Sequence, residues 1–421
     1  MFDTNAPVYR LKSINEPGFA STIPNGITLL FDRNGDPILP MNLFILKYKD
    51  SLRGKHNTSN SYADDLANWV MYCDYRKIDW RSAGAIHLEH YDSILASSVS
   101  AITRRRFSKA TRSRRVGSVR AFYRFCTSSG FIQDDTDAPH HYRGRIKTSR
   151  PETTVKFIAV EDMIKILDCL GPSSKSADAS LSRDRTAAEF LFLMGGRVED
   201  AEALTVIDVL NFEAELKARP DRFFVEHAIL GKGGVERTAL IMRPLVENLV
   251  RYMYGTRAAV IENAISRKPS GWGPPQNLFL NSQSSNDRDV GEPCTTDTLS
   301  RAFVEAVRAA GLFSNKLRVL LTESFEPVTR DGKWVEEAYQ VPKHSIHHLR
   351  HTFAAVLAKG LHRHGNDAPF KVVQILLGHA WLSTTVDTYA GPIALDEPSI
   401  SDAYMQLTRS MDMSATDEDD L

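Results

Sequence analysis

The sequence predicts a mainly α fold with a small β-sheet (α+β), divided between two domains. Three observations carry that expectation. Apolar residues recur at helical spacing in several separated stretches, one adjacent pair of runs reads as a strand hairpin, and a polar, proline-containing segment separates the helical regions. The length, 421 residues, fits two or three domains better than one. A composition 42% hydrophobic and 25% charged excludes a mainly disordered or collagen-like chain. No apolar run reaches the roughly 20 residues of a membrane-spanning helix. Met1–Arg10 lacks a basic patch before an apolar core, so neither a secretory signal nor a membrane partner is expected. Cys73, Cys126, Cys169 and Cys294 stand far apart with no Cys-x-x-Cys pair. That argues against a disulfide framework or a structural zinc site, and for a reducing, cytoplasmic compartment. Basic and acidic residues balance at 52 each, so the distribution of charge matters more than its total.

Taken in order, residues 1–42 form an irregular arm rich in turn formers, with a short hairpin around Ile27 to Ile38. Residues 43–133 form a helical domain. Asn57 or Thr58 caps a helix whose buried face is Tyr62, Leu66, Trp69, Val70 and Cys73. A second helix runs from about Ser113 to Cys126, with Val116, Val119, Phe122, Tyr123 and Cys126 as its stripe. Residues 134–155 read as a linker. The second domain, 156–395, has helices expected at 160–170, 183–194 and 243–265, with a strand pair Phe223–Leu230 and Glu236–Ile241 between the last two. Lys268–Glu292 reads as a loop holding a short strand at Leu278–Leu280. Helices follow at 296–310, 346–360 and 369–377. Residues 314–343 read as an insertion with a hairpin turning at Asp331–Gly332. The tail, 396–421, has a candidate helix at Ser401–Met411 and an acidic end.

The helical domain gives the first functional sign. Arg104, Arg105, Arg106, Lys109, Arg112, Arg114, Arg115, Arg120 and Arg124 fall in one stretch, and no acid occurs between Asp92 and Asp134. Solvated faces usually mix signs. A one-sign arginine cluster beside an aromatic stripe suits phosphate contacts, because the guanidinium fork matches phosphate oxygens.

Four segments of the second domain share a chemical theme. Gly195-Gly196-Arg197 places an arginine at a helix start, with Asp200 three residues on. Gly231-Lys232-Gly233-Gly234 places a lysine at a hairpin tip and does not fit the Walker pattern. His347-His348-Leu349-Arg350-His351-Thr352 puts His347 and Arg350 on one helix face. Leu377-Gly378-His379 closes a helix, and Tyr389 follows Thr384-Thr385. Each is weak alone. Their order, Arg…Lys…His-x-x-Arg…His…Tyr, is specific.

In that order the sequence resembles the tyrosine recombinases, the phage-integrase family of DNA strand-exchange enzymes. The resemblance covers about residues 43–395, with the helical region similar to the family's core-binding domain. Three departures stand out: Gly196 where a large apolar residue is usual and Asp200 for the commoner Glu, one extra residue between His379 and Tyr389, and the length of segment 314–343. The resemblance implies a site-specific recombinase, an integrase or transposase of a mobile element, working through a 3′-phosphotyrosyl intermediate. Tyr389 would be the nucleophile, Arg197, Arg350 and His379 would bind the phosphate, His347 would be the general base and Lys232 the general acid. Asp200 would support the arginines from behind. His351 reads as a packing residue. The partners implied are double-stranded DNA, further copies of the chain as a homotetramer on paired sites, and accessory proteins; no cofactor and no metal are expected. A type IB topoisomerase and a catalytically silent DNA-binding protein are the alternatives.

The chemistry agrees with that assignment. Conserving the energy of a broken phosphodiester requires a covalent intermediate, which a phenol can form and release. Charge building on the non-bridging oxygens needs fixed donors, and arginine forks supply them in bidentate fashion. A phenol of ordinary pKa near 10 needs a base.

Overall fold

The computed structural model describes residues 8–13, 23, 25–47, 57–100, 102–142, 156–173, 180–230, 236–324, 326–378 and 385. These residues group into two compact units, 1–151 with Leu317–Tyr339, and 152–316 with 340–421. Small two-stranded sheets accompany a predominantly helical architecture.

In the first unit, β1 (Tyr9–Lys12) pairs antiparallel with β2 (Thr28–Phe31). The hairpin expected around Ile27 to Ile38 is therefore only partly local: beyond β2 the chain turns and returns through a single bridge, Phe31 to Pro37. Helices α1 (Leu39–Leu46), α2 (Asn57–Tyr75), α3 (Ala85–Ser97) and α4 (Lys109–Ser128) follow. α4 starts four residues earlier than expected, capped by Ser108, whose hydroxyl accepts the Thr111 N–H at 3.1 Å. The stripes of α2 and α4 meet as the helical periodicity requires. Trp69, Phe44, Phe122, Tyr91 and Tyr123 are fully buried in one aromatic core. Within it the Trp69 indole N–H donates to the Tyr123 hydroxyl, which donates to the Trp80 carbonyl.

The second unit begins with α5 (Val160–Leu170) and α6 (Arg183–Leu193). Every residue of α6 from Arg185 on is buried, so this helix runs through the interior of the unit. Its buried Arg185 is matched by Glu189, 2.8 Å away. Then come α7 (Val198–Ala203), α8 (Val206–Ala218), and the hairpin β3 (Phe224–Leu230) and β4 (Glu236–Met242). The expected helix 243–265 is α9 (Arg243–Tyr252) continuing through a π-turn at Met253–Arg257 into α10 (Ala258–Arg267). The stretch Leu278–Leu280 is not a named strand; Asn277 and Leu280 make single bridges to Thr205 and Pro293. α11 (Thr296–Ala309) follows.

The chain then forms a ribbon of β5 (Phe313–Val319) and β8 (Glu336–Pro342), with the small hairpin β6 (Thr329–Arg330) and β7 (Lys333–Trp334) between them. Asp331 and Gly332 both have positive φ (51° and 70°), the geometry a two-residue hairpin turn demands. Residues Leu317–Tyr339 of this ribbon belong to the first unit. The Val319 N–H donates to the Arg104 carbonyl at 2.7 Å, and the Arg106 guanidinium lies 4.1 Å from the Trp334 ring centre. The second unit closes with α12 (His347–Arg363) and α13 (Pro369–Leu377). The candidate helix Ser401–Met411 lies outside the described residues. Among the described residues, no helix is long and apolar enough to cross a membrane.

Candidate active site

The turn after α6 sets the first arginine. Gly195 has φ +61°, and a Cβ there would stand 2.3 Å from the Phe353 ring, so the turn requires glycine. The chain emerges at Arg197 in extended conformation, immediately ahead of α7. The Asp200 carboxylate accepts the Arg197 N–H at 2.8 Å and closes the first turn. Arg197 is half-buried, whereas Asp200 is buried.

Arg350 projects from the first turns of α12 and is only 2% exposed. Its guanidinium donates to the Gly195 carbonyl at 2.7 Å and to the Leu377 carbonyl at 2.5 Å. It thereby joins the turn before Arg197 to the C-terminal turn of α13. That turn ends at Gly378 in left-handed conformation, φ +64°.

His347 lies one helical turn before Arg350, at the surface. Partial desolvation by the protein around it, then the charges of Arg350 and Arg197, lower its pKa, against an opposing pull from Glu199. The imidazole is thus held toward its neutral form, the state a general base needs. His351 packs its ring perpendicular to that of His347, 4.8 Å away. Burial, then His347 and Arg350, push His351 down to about 4. Lys232, His379 and Tyr389 lie outside the described residues.

Two anchors of α12 were not singled out from the sequence. His344, 4% exposed, places Nε2 3.1 Å from the Asp162 carboxylate, which also accepts from Lys343 at 2.5 Å. Burial works to raise the Asp162 pKa, but these two bonds outweigh it and the pKa is lowered. Thr352 accepts the Ile158 N–H at 2.9 Å and donates to the His348 carbonyl at 2.8 Å. The signal for both is a polar side chain on or beside the apolar face of α12.

The arginine cluster of the first unit divides. Arg112 donates twice to Asp92, at 2.8 and 2.9 Å. Arg114 donates to buried Asp65 at 2.5 Å, and Arg115 donates to Asn68 at 2.8 Å while lying over the Phe107 ring. Arg120 is half-buried. Arg104, Arg105, Arg106 and Lys109 are exposed, with Arg106 against Trp334. Among the described residues, Asp134, His140 and His141 each bring a ligand atom within 4.8 Å of the others. They belong to the first unit and share no residue with the arginine frame.

The phage integrase family model matches residues 156–393, more than half of the chain. The chain belongs to the phage integrase family. Members are tyrosine recombinases, and this family member is an enzyme of that class, acting by DNA strand cleavage and rejoining. It is similar to the tyrosine recombinase XerD of Mycobacterium leprae, 24% identical over 78% of this chain and 85% of the relative. It is also similar to the XerD of Agrobacterium fabrum, 27% identical over 78% of this chain and 82% of the relative. Among solved structures, a XerH site-specific recombinase bound to palindromic difH substrate aligns with a TM-score of 0.46 and 16% identity, covering 83% of this chain and 80% of that one.

Proposed function

We propose that this integrase-family enzyme cleaves double-stranded DNA with Tyr389, forming a 3′-phosphotyrosyl intermediate and a free 5′-hydroxyl. The observation that carries this is the frame around Arg350. One guanidinium bonds the turn leading to Arg197 and the turn leading toward His379, so three motifs distant in sequence share one rigid centre. Arg197, Arg350 and His379 bind the non-bridging oxygens. Their worth lies in the transition state, where fixed donors meet growing charge without reorganising. His347, kept toward neutral, accepts the phenol proton from Tyr389. Lys232 protonates the departing 5′-oxygen. Asp200 touches no substrate and holds the Arg197 backbone.

Rejoining reverses these steps with a new 5′-hydroxyl. In the proposed assembly, four copies act on two paired duplexes, and the segment beyond Pro392 docks on a neighbouring copy. Exposed basic residues, Arg104, Arg105 and Lys109 among them, bind phosphates and make affinity salt-dependent. We assign the activity to integration or transposition of a mobile element.

The test is incubation with nicked duplexes carrying the DNA that flanks the gene. The expected product is protein on a 3′ end, a free 5′-hydroxyl opposite, and exchange between two duplexes. Relaxation of supercoiled plasmid without exchange would favour the topoisomerase reading instead. A cleaved site mapping away from the flanking DNA would remove the mobile-element assignment. Truncation at Pro392 should leave single-site binding intact and abolish paired-site assembly; assembly that survives would contradict the docking role.

A further inference from the structure

Strand β4 alternates inward and outward along its length. Arg237, Ala239 and Ile241 are buried, and their partners across the hairpin, Ile229, His227 and Val225, lie on the same face. Arg237 therefore occupies an inward position where the pattern calls for an apolar residue. Its side chain is 2% exposed. One terminal nitrogen donates to the Asp200 carboxylate at 2.6 Å, through the oxygen that also accepts the Arg197 N–H. The other donates to the Leu376 carbonyl at 2.8 Å. The left-handed turn at Gly378 fits tightly against this side chain, since a Cβ there would stand 2.9 Å from Arg237 Cδ.

These bonds run beside those of Arg350. Arg350 ties the Gly195 carbonyl to the Leu377 carbonyl, and Arg237 ties Asp200 to the carbonyl one residue earlier. Two guanidiniums thus brace the same two segments, one on each side of Arg197 in the chain. A buried ion pair alone is weak evidence for stability, because apolar residues of similar volume often serve as well. What apolar residues cannot do is fix two acceptors on separate segments at a set separation.

We propose that Arg237 is a positioning residue for strand cleavage, holding the Arg197 backbone in register with the C-terminal turn of α13. The inference rests on the catalytic roles assigned above to Arg197 and to the residues that follow α13. Arg237 touches no DNA in this account. Its loss lets the phosphate-binding groups drift apart, and a misplacement of about 1 Å can cost on the order of 100-fold in rate.

The test uses the full-length chain and a nicked duplex that the wild type cleaves. Cleavage rate per folded molecule, DNA affinity and thermal midpoint are measured for Arg237→Lys and for the double variant Arg237→Met/Asp200→Leu. Lysine keeps the charge but has no fork to reach both acceptors. The double variant removes both charges, so neither is left buried alone. The expected result is near-wild-type DNA affinity in both, a recovered thermal midpoint in the double variant, and cleavage slowed about 100-fold in each. Wild-type cleavage per folded molecule in either variant would overturn the proposal. Failure of the wild type itself to form a covalent product would instead overturn the catalytic reading beneath it.

Discussion

Arginines dominate both units, but they are held differently. In the helical unit Arg112, Arg114 and Arg115 lean on side chains of neighbouring helices, Asp92, Asp65 and Asn68. In the second unit Arg350 bonds main-chain carbonyls, and Arg237 bonds one carbonyl and one carboxylate. A carboxylate partner neutralises an arginine and fixes a helix pair. A carbonyl partner fixes the direction of the guanidinium through the main chain. Charge in a sequence therefore does not by itself locate a phosphate site; what is bonded behind each arginine must be read with it.

The largest effect that sharpens this contrast is expected at Arg197. Arg197→Ala should slow single-turnover strand cleavage by about 10²–10³-fold with an unchanged thermal midpoint. A loss of folding without a specific loss of rate would place Arg197 with the structural arginines instead. The converse is expected at Asp65, whose buried carboxylate accepts from Arg114 and from the Ser118 hydroxyl at 2.7 Å. Asp65→Ala should destabilise the helical unit by about 1–3 kcal/mol in chemical denaturation. Cleavage per folded molecule should stay unchanged.

A smaller effect separates arginines within the cluster. Arg104→Gln should lower the salt dependence of DNA binding by about one unit of slope and leave stability alone. Arg112→Gln should do the reverse, costing about 1–2 kcal/mol of stability with the slope preserved. Equal changes of slope for both would break the division drawn here. The smallest effect is on pH. With the His347 pKa lowered, the imidazole is deprotonated above its ordinary range and gains its proton only as pH falls below it. Cleavage rate should therefore hold level from pH 8 to about 6.5 and fall below that. A fall beginning above pH 7 would contradict the direction of the shift.

The helices with strong apolar stripes were legible in the sequence. Trp69 and Tyr123 pack as the spacing of α2 and α4 requires. Helix α8 was not, because Val206, Ile207 and Val209 are β-branched and suggest a strand. Its start was nonetheless written in Thr205 and Asp208, which cap one another. The acidic partners of the arginine cluster were hidden for another reason: Asp65 and Asp92 precede it in the chain and reach it only through helix packing. Residues 314–343 read as an insertion, but Val319 donates to the Arg104 carbonyl and Trp334 lies against Arg106, and nothing local in its sequence announces that. Of the candidate site, the order of motifs was legible. Arg237 was given no role although it breaks the apolar alternation of β4, a signal that a buried charge has a job on its inward face.

In the proposed function, the frame around Arg350 serves a tyrosine nucleophile. The most direct test of that role is covalent trapping on nicked duplex, wild type beside Tyr389→Phe, with the linked peptide identified after proteolysis. The expected result is a denaturant-resistant complex with wild type alone and DNA attached at Tyr389. An adduct at another residue, an adduct that survives in Tyr389→Phe, or salt-sensitive binding to a confirmed site with no adduct would contradict it.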